Sequence, residues 1–286
     1  MSFMRVIQRR KGTAEYFYLQ HSYRRDGKVI TKERYLGKKI PPNIEEIKAK
    51  LLQDAQDSLV EKLEKIRSSF QKEWQTYPQS AKENALKELA IFFTYNTNAI
   101  EGSTITQQEA RLILEDQVAP NKPLKDIRET EAHAKVFMQM LTEQPQMSQT
   151  LLLKWHQEIF RETKPDIAGK FRQWPVKVGS YLTPDWQTIE KSMEQLMKFI
   201  NESTFNPVET AMRAHYIFEK IHPFGDGNGR IGRLLMNHIL WNNGYPTLII
   251  EYTYRKNYYR ALQQSEEGFR KYLMRRYLAT HRKHLE

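Results

Sequence analysis

Apolar and polar residues alternate near the start of the chain, and the aromatic-rich stretch EYFYLQHSY is typical of a strand. Turn residues at RRKGT and at Asp26-Gly27 interrupt the alternation, and Asp-Gly favours a tight hairpin turn. Residues 4–37 therefore predict a small three-stranded antiparallel meander. Pro41 and Pro42 end it, because proline disrupts regular structure.

Apolar residues recur at spacings of three and four between Ile44 and Trp74, which predicts one long helix. At about 1.5 Å per residue, this helix would span roughly 45 Å. Two interpretations stay open. The helix either lies across the main domain or forms a dimerising arm, so a homodimer is one expectation.

Helical spacing continues from residue 80 almost to the end of the chain. The stretch 80–102 ends at Gly102, a residue suited to a helix C-terminus. The next begins with Thr106 and Glu109 in capping-box spacing. The pattern breaks between about Asp166 and Trp186, where we expect a hairpin or an extended flap. Further helical stretches cover residues 127–143, 148–162, 189–202, 207–221, 229–244 and 255–283. The predicted fold is mainly α.

Composition narrows the class of protein. The chain has 286 residues, 40% of them hydrophobic, and no cysteine, so disulfides, Cys-bound zinc and thiol nucleophiles are excluded. No apolar run approaches the roughly 20 residues of a membrane helix, and the N-terminus lacks the apolar core of a signal peptide. We expect a cytoplasmic protein that does not insert into membranes.

Positive charge is concentrated at the N-terminus. Residues 1–40 contain eleven basic and three acidic side chains, which is most of the chain's net charge of +11. Tyrosine and phenylalanine interleaved with lysine and arginine suit contact with nucleic acid. The alternative is a solvated basic sheet that packs on the core or mediates dimerisation.

The stretch IHPFGDGNGRIGRLL, from Ile221 to Leu235, combines residues suited to bind a chain of phosphates and to transfer part of a nucleoside triphosphate to an alcohol. Backbone amides of GNG at a helix N-terminus bind anions. Arg230 and Arg233 share a helical face and suit phosphates. Asp226 suits Mg²⁺, and His222 can accept a proton near neutral pH. The alternative is a tight interhelical turn with a buried core histidine.

The twelve residues from His222 to Arg233 match the Fic family motif HxFx(D/E)GNGRxxR, and the chain resembles this family over roughly residues 80–280. The resemblance implies an all-helical core with the motif loop between two central helices. It also implies transfer of AMP from ATP to a protein hydroxyl. Within it, His222 would be the general base, Phe224 would hold the loop, and Asp226 would hold Mg²⁺. Phosphates would be bound by Gly227, Asn228, Gly229, Arg230 and Arg233.

The stretch VKVGSYLTP resembles the Fic flap, a hairpin that pairs with an extended segment of the target protein. The nucleotide would be bordered by Val176, Lys177, Val178 and Gly179. An ordinary surface hairpin is the alternative.

The stretch KNYYRALQQSEEG resembles the nucleoside-side helix of the family, which implies that Tyr258 and Tyr259 line an adenine pocket. Glu266 stands where many relatives carry asparagine. The alternative for the two adjacent tyrosines is packing in the core.

The stretch TNAIEG matches the inhibitory motif (S/T)xxxE(G/N) of autoinhibited Fic proteins, at Thr97, Glu101 and Gly102. Thr97 and Glu101 share a helical face. The resemblance pairs Glu101 with Arg233, where the γ-phosphate should bind. A solvated glutamate at a helix end is the alternative.

These patterns predict three segments: a basic meander at 1–42, a linking helix at 43–79 and a Fic domain at 80–286. The last contains an inhibitory helix near 83–102, a flap near 170–185 and the active-site loop 222–233. The expected function is that of an autoinhibited protein adenylyltransferase using ATP and Mg²⁺. Removal of AMP, another nucleotide or phosphate donor, and a DNA-binding or toxin–antitoxin-like switch stay open.

Overall fold

The computed structural model describes residues 3–25, 28–179 and 181–286, and it divides the chain into two compact units, 1–62 and 63–286. The predicted turn at Asp26-Gly27 lies outside the described residues. The first unit combines strands with the N-terminal part of a long helix, and the second unit is mainly helical.

The first unit contains the predicted antiparallel meander, with strands β1 (Phe3–Lys11), β2 (Ala14–Arg25) and β3 (Lys28–Gly37) in that order. Tyr18 pairs with Ile7 on one side and Tyr35 on the other. Because opposite residues share a face, Tyr16, Tyr18 and Tyr35 form an aromatic cluster with ring centroids 5.3 and 6.2 Å apart. Leu19 has the opposite parity and is buried.

The rest of the described chain is mainly helical, which confirms the predicted fold class. The principal helices are α1 (Ile44–Thr76), α2 (Gln79–Ile100), α3 (Gln107–Arg111), α4 (Leu124–Glu143), α5 (Gln149–Phe160), α6 (Ile189–Glu202), α7 (Pro207–Ile221), α8 (Asn228–Asn242), α9 (Arg255–Leu262) and α10 (Glu266–Thr280).

Helices α7 and α8 form the centre of the second unit. Asn206 caps α7 by accepting a hydrogen bond from Val208 N, and Pro207 takes the first helical position, where its missing N–H costs nothing. Helix α8 is buried from Asn228 to Leu240 except at Gly229. The loop between the two helices is therefore held by elements packed in the core.

Two predicted helices are divided in the structure. The stretch 255–283 is not one helix, because Ser265 accepts a hydrogen bond from Gly268 N at 3.3 Å and starts a new helix. The predicted capping box of Thr106 and Glu109 is present, but α3 is short. It continues into one π-helical turn, Leu112–Asp116.

The interruption before α6 contains a short hairpin of β4 (Lys177–Val178) and β5 (Tyr181–Leu182). We call this hairpin and its arms, residues 174–184, the flap. Thr183 donates a hydrogen bond from Oγ1 to the carbonyl of Val176 at 2.6 Å and closes its base. Among the described residues, no helix is long and apolar enough to cross a membrane.

Candidate active site

The loop from His222 to Gly227, which we call the motif loop, joins α7 to α8 through two left-handed residues. His222 ends α7 with φ of 51°, and Gly227 precedes α8 with φ of 77°. The Asn228 side chain accepts from Phe224 N and donates to Phe224 O, both at 2.8 Å. Asn228 thus closes the loop with its amide, while its backbone begins the helix.

The ring of Phe224 anchors the motif loop in the core. It is fully buried and stacks on His156 of α5 with centroids 3.9 Å apart and planes at 8°. His156 Nε2 lies 3.0 Å from the carbonyl of Asp226, and its Nδ1 accepts from Gly169 N. Burial lowers the pKa of His156 to about 4, so its ring is neutral and these two bonds fix its tautomer.

His222 lies where the motif loop leaves α7. Burial lowers the pKa of its ring, and the positive charge of Arg172 lowers the pKa further. A histidine with a lowered pKa is unprotonated at neutral pH and can accept a proton. The geometry therefore presents a base at this end of the loop.

Arg233 of α8 is buried, and α2 supplies its partners. Its Nε donates to Thr97 Oγ1 at 2.6 Å, and its Nη2 donates to the Thr97 carbonyl at 3.1 Å. Nη2 also lies 2.6 Å from Oε1 of Glu101, the C-cap residue of α2. The pair predicted from the TNAIEG motif thus exists as a contact in the structure.

The carboxylate of Glu101 also lies against the first turn of α8. A β-carbon at Gly229 would collide with Glu101 Oε1 and approach Arg233 Nη1 within 2.9 Å. The N-terminal turn of a helix has free N–H groups and a positive dipole end, which favour an anion here. Gly102 follows with φ of 93°, a conformation that favours glycine. Glu101 therefore occupies the anion-binding end of α8.

Arg230 is also paired with a carboxylate, but a buried one. It donates to Glu129 of α4, which in turn accepts from Thr163 Oγ1 at 2.8 Å and Lys164 Nζ at 2.9 Å. Lys164 Nζ lies equally close, 2.9 Å, to Asp226 Oδ2. Burial alone would raise the pKa of Glu129, but Arg230 and Lys164 hold that pKa below its ordinary value. Four alternating charges thus run along one side of the motif loop.

Several polar atoms near Arg233 lack a hydrogen-bond partner among the described residues, although they are buried. They include both amide atoms of Asn98, Arg233 Nη1 and Glu219 Oε1. Buried polar groups are normally paired, so these atoms are available to a polar ligand. Burial raises the pKa of Glu219 to about 7.

The predicted flap residues lie at the surface beside the motif loop. Lys177 and Val178 are exposed strand residues, Val176 is half-buried, and Gly179 turns the hairpin with φ of 59°. A cavity of about 740 Å³ is lined in part by Phe171, Arg172 and Trp174. The Trp174 ring also lies against Gly225 of the motif loop. Asp226, Arg230 and Arg233 do not line this cavity.

The two adjacent tyrosines of α9 have different environments. Tyr258 is fully buried and its hydroxyl lies 2.8 Å from His215 Nε2. Tyr259 is 40% exposed and donates to the carbonyl of Ile100 at 3.3 Å. Of the pair, Tyr259 is the one whose ring a ligand can reach.

Glu266, which stands where the family resemblance implies an asparagine, forms an ion pair with Arg213.

Sequence reasoning missed Glu129, Lys164, His156 and Arg172. Glu129 and His156 carried a usable signal, because each falls among the buried apolar residues of its helix, α4 and α5 respectively. A charged residue in an apolar stripe usually has a buried partner. Lys164 and Arg172 lie outside helices and strands, where no periodic pattern marks them.

Comparison with known families and structures agrees with this geometry. Residues 146–240 match the family model described as Fic/DOC family. The chain is 32% identical over 194 residues to a protein adenylyltransferase Fic of Nematostella vectensis, covering 65% of this chain and 45% of that protein. It is 29% identical over 266 residues to the Drosophila ananassae protein of the same name, covering 88% and 52%. The chain thus spans about half the length of these curated relatives.

Two solved structures share the fold. Fic-1 (residues 134–508) from C. elegans superposes with a TM-score of 0.70 at 24% identity, covering 86% of this chain and 78% of that one. A Fic domain containing signaling protein from Bacteroides thetaiotaomicron gives 0.67 at 23% identity, covering 78% and 96%.

Proposed function

Because this chain carries a Fic domain, we propose that it transfers AMP from ATP to a side-chain hydroxyl of another protein, and that Glu101 restrains this reaction. Relatives named protein adenylyltransferase Fic support the activity. The observation that carries the proposal is the position of Glu101, whose carboxylate lies on Arg233 and against Gly229.

His222 acts as the general base in this reaction. It takes the proton of the target hydroxyl, whose oxygen bonds to the α-phosphorus as the bond to pyrophosphate breaks. The lowered pKa of its ring supports this role, because the base must be unprotonated before the step. Catalysis is mostly positioning and charge stabilisation, and the first-turn amides of α8 supply fixed donors.

Asp226 is the residue that would hold Mg²⁺. Its carboxylate already binds a cation, since Lys164 Nζ lies 2.9 Å away, and Lys164 lowers the pKa of Asp226 against the raising effect of burial. Three-residue metal clusters are absent from the described residues, yet Mg²⁺ is commonly bound by one or two carboxylates together with substrate phosphates. When bound, the ion would neutralise phosphate charge.

Glu101 inhibits by using the donors that the nucleotide needs. A γ-phosphate on Arg233 requires Nη2, which now binds the Glu101 carboxylate. It also requires the space above Gly229, where a carboxylate oxygen already lies. Two anions cannot share this position at such short range, so ATP binds productively only when Glu101 is displaced.

The flap receives the target protein. Exposed strand residues Lys177 and Val178 offer backbone groups to an extended segment, and such pairing recognises main chain more than side chains. On the nucleoside side, Tyr259 is the accessible ring for adenine, with Tyr258 behind it. Removal of AMP and the use of another donor are alternative reactions at the same site.

The basic meander is a candidate surface for nucleic acid. Arg5 and Arg9 are exposed beside the aromatic cluster. Proteins that bind single-stranded nucleic acid combine basic and aromatic side chains in this way. Arg9 is however already paired with Glu33 at 2.7 Å. Nucleic-acid binding, dimerisation through the long helix and a cytoplasmic location stay predictions.

The test is the intact mass of the purified protein after incubation with Mg²⁺ and ATP. We expect Glu101→Gly to gain the mass of AMP through self-modification, while the parent protein gains little. The double variant Glu101→Gly, His222→Ala should bind ATP but gain nothing. To cover targets in trans, cell lysate and labelled ATP are supplied in a second arm. Absence of transfer by Glu101→Gly in both arms would contradict the proposal.

A further inference from the structure

Arg172 joins the two arms of the flap. Its Nη1 donates to the carbonyl of Trp174 at 2.7 Å in the incoming arm. Its Nη2 donates to Thr183 Oγ1 at 2.9 Å and to the carbonyl of Pro184 at 2.8 Å in the outgoing arm. A planar guanidinium with several fixed donors is suited to hold carbonyls from two segments at once.

The same residue also holds the start of the motif loop. Arg172 Nε donates to the carbonyl of His222 at 2.9 Å, and its backbone N donates to the carbonyl of Pro223 at 2.9 Å. His222 has φ of 51°, a left-handed conformation that a non-glycine residue keeps only when its surroundings enforce it. The two bonds from Arg172 are among those surroundings.

The guanidinium of Arg172 is buried and has no carboxylate within 4 Å among the described residues. Burial lowers the pKa of Arg172, and only the more distant Asp185 opposes this effect. An isolated buried charge is costly, so a neutral side chain would serve better if packing were its only role. The charge instead acts on His222, whose protonated form it disfavours.

We propose that Arg172 is a positioning residue for the transfer reaction, because it ties the base of the flap to the backbone of His222 and Pro223. A target segment paired with the flap is thereby kept at a fixed distance from the base. This inference rests on the proposed function, since the flap and His222 are assigned their roles there.

The test compares Arg172→Lys and Arg172→Met in the full chain carrying Glu101→Gly. Lysine keeps the positive charge but lacks the planar set of guanidinium donors, and methionine lacks both the charge and the donors. Arg270→Lys is the matched control, because Arg270 is also mostly buried but pairs with Glu267 and Glu209 of α10 and α7. Three quantities are measured: the rate of AMP incorporation, amide hydrogen exchange in the flap and motif loop, and the titration of His222 by NMR.

We expect both Arg172 variants to lose turnover by about 100-fold, the effect of a small misplacement of reacting groups, with the KM for ATP nearly unchanged. Exchange in the flap and motif loop should rise in both variants. The His222 pKa should rise only in Arg172→Met, because the positive charge that disfavours its protonation is lost. In that variant alone, the fall in the rate of AMP incorporation at acidic pH should then begin at a higher pH.

The proposal would be overturned if turnover and hydrogen exchange in Arg172→Lys equalled those in Arg270→Lys. If Glu101→Gly itself transfers no AMP, the proposed function fails, but exchange and titration still decide whether Arg172 ties the flap to His222.

Discussion

The two arginines of the GNGRIGR segment are both paired with glutamates, yet the two pairs differ in nearly every physical respect. Glu129 keeps only 7% of its side chain exposed and binds Lys164 and Thr163 as well as Arg230. The Glu101 side chain is 27% exposed, and among the described residues it is paired with Arg233 alone. One glutamate belongs to a buried network, and the other is attached at the end of a helix.

This difference separates a structural ion pair from a removable one. Removing one member of a buried network leaves charges without partners, which is strongly destabilising. Removing Glu101 should cost less, because its carboxylate is partly exposed and water can reach the place that it leaves. Arg233 also retains its two bonds to Thr97 when Glu101 leaves. The chain can therefore release Arg233 without unfolding, whereas it cannot release Arg230 from Glu129 at low cost.

The largest expected effect is a contrast in stability between the two glutamates. Glu129→Ala should lower the free energy of unfolding by about 3–5 kcal/mol, the range for breaking a buried ion pair. Glu101→Ala is the matched control and should lower it by less, because the Glu101 carboxylate is partly exposed and Arg233 keeps its two hydrogen bonds to Thr97. Urea denaturation at neutral pH measures both. Equal losses would mean that the two pairs are equally part of the fold.

The second effect concerns the pH dependence of stability and comes from Glu219, a buried carboxyl near Arg233. Burial raises the pKa of Glu219 from 4.5 to about 7, so the folded state binds more protons than the unfolded state between these values. The contribution of Glu219 to the free energy of unfolding therefore falls by on the order of 3 kcal/mol as pH rises from about 4.5 to about 7. Above about pH 7 this contribution no longer changes.

Glu219→Gln should remove this contribution and flatten the curve over that interval. The measurement is the free energy of unfolding at a series of pH values for the parent and the variant. Parallel curves would show that Glu219 titrates normally and that its burial has no electrostatic cost.

The smallest effect concerns the hydroxyl that holds Arg233 on α2. Thr97→Val removes the acceptor of Arg233 Nε and leaves a buried donor unpaired, which should cost about 1–3 kcal/mol. Thr94→Val is the control on the same helix, because Thr94 bonds only the neutral ring of His133. Its cost should be smaller. Urea denaturation measures the loss in the free energy of unfolding for both variants. A larger loss for Thr94→Val would refute the role assigned to the hydrogen bond between Thr97 and Arg233.

Local sequence predicted the elements around the motif loop well. The spacing of apolar residues predicted helices at 189–202 and 207–221, and the structure has both with those bounds. Glycine at 227 and 229 also matched the need for a left-handed residue and for a close approach. These features depend on neighbours within one or two turns, which a single sequence reveals.

The partners of the charged residues could not be predicted in the same way. Glu129 meets Arg230 across 101 positions, and Arg172 meets His222 across 50. Such contacts depend on how helices pack, and no local pattern encodes them. The division of the last helix was also missed, because Ser265 acts as a cap within a stretch whose spacing continues.

On the proposed function, the Glu101 carboxylate and the γ-phosphate of ATP compete for one position, the one that Glu101 occupies against Gly229 and Arg233. Glu101 is tethered, so its local concentration is constant, whereas that of a triphosphate follows supply. The inhibited fraction then follows mass action and declines as nucleotide accumulates. On this proposal, the transfer activity rises with the concentration of ATP, and no second effector site is required.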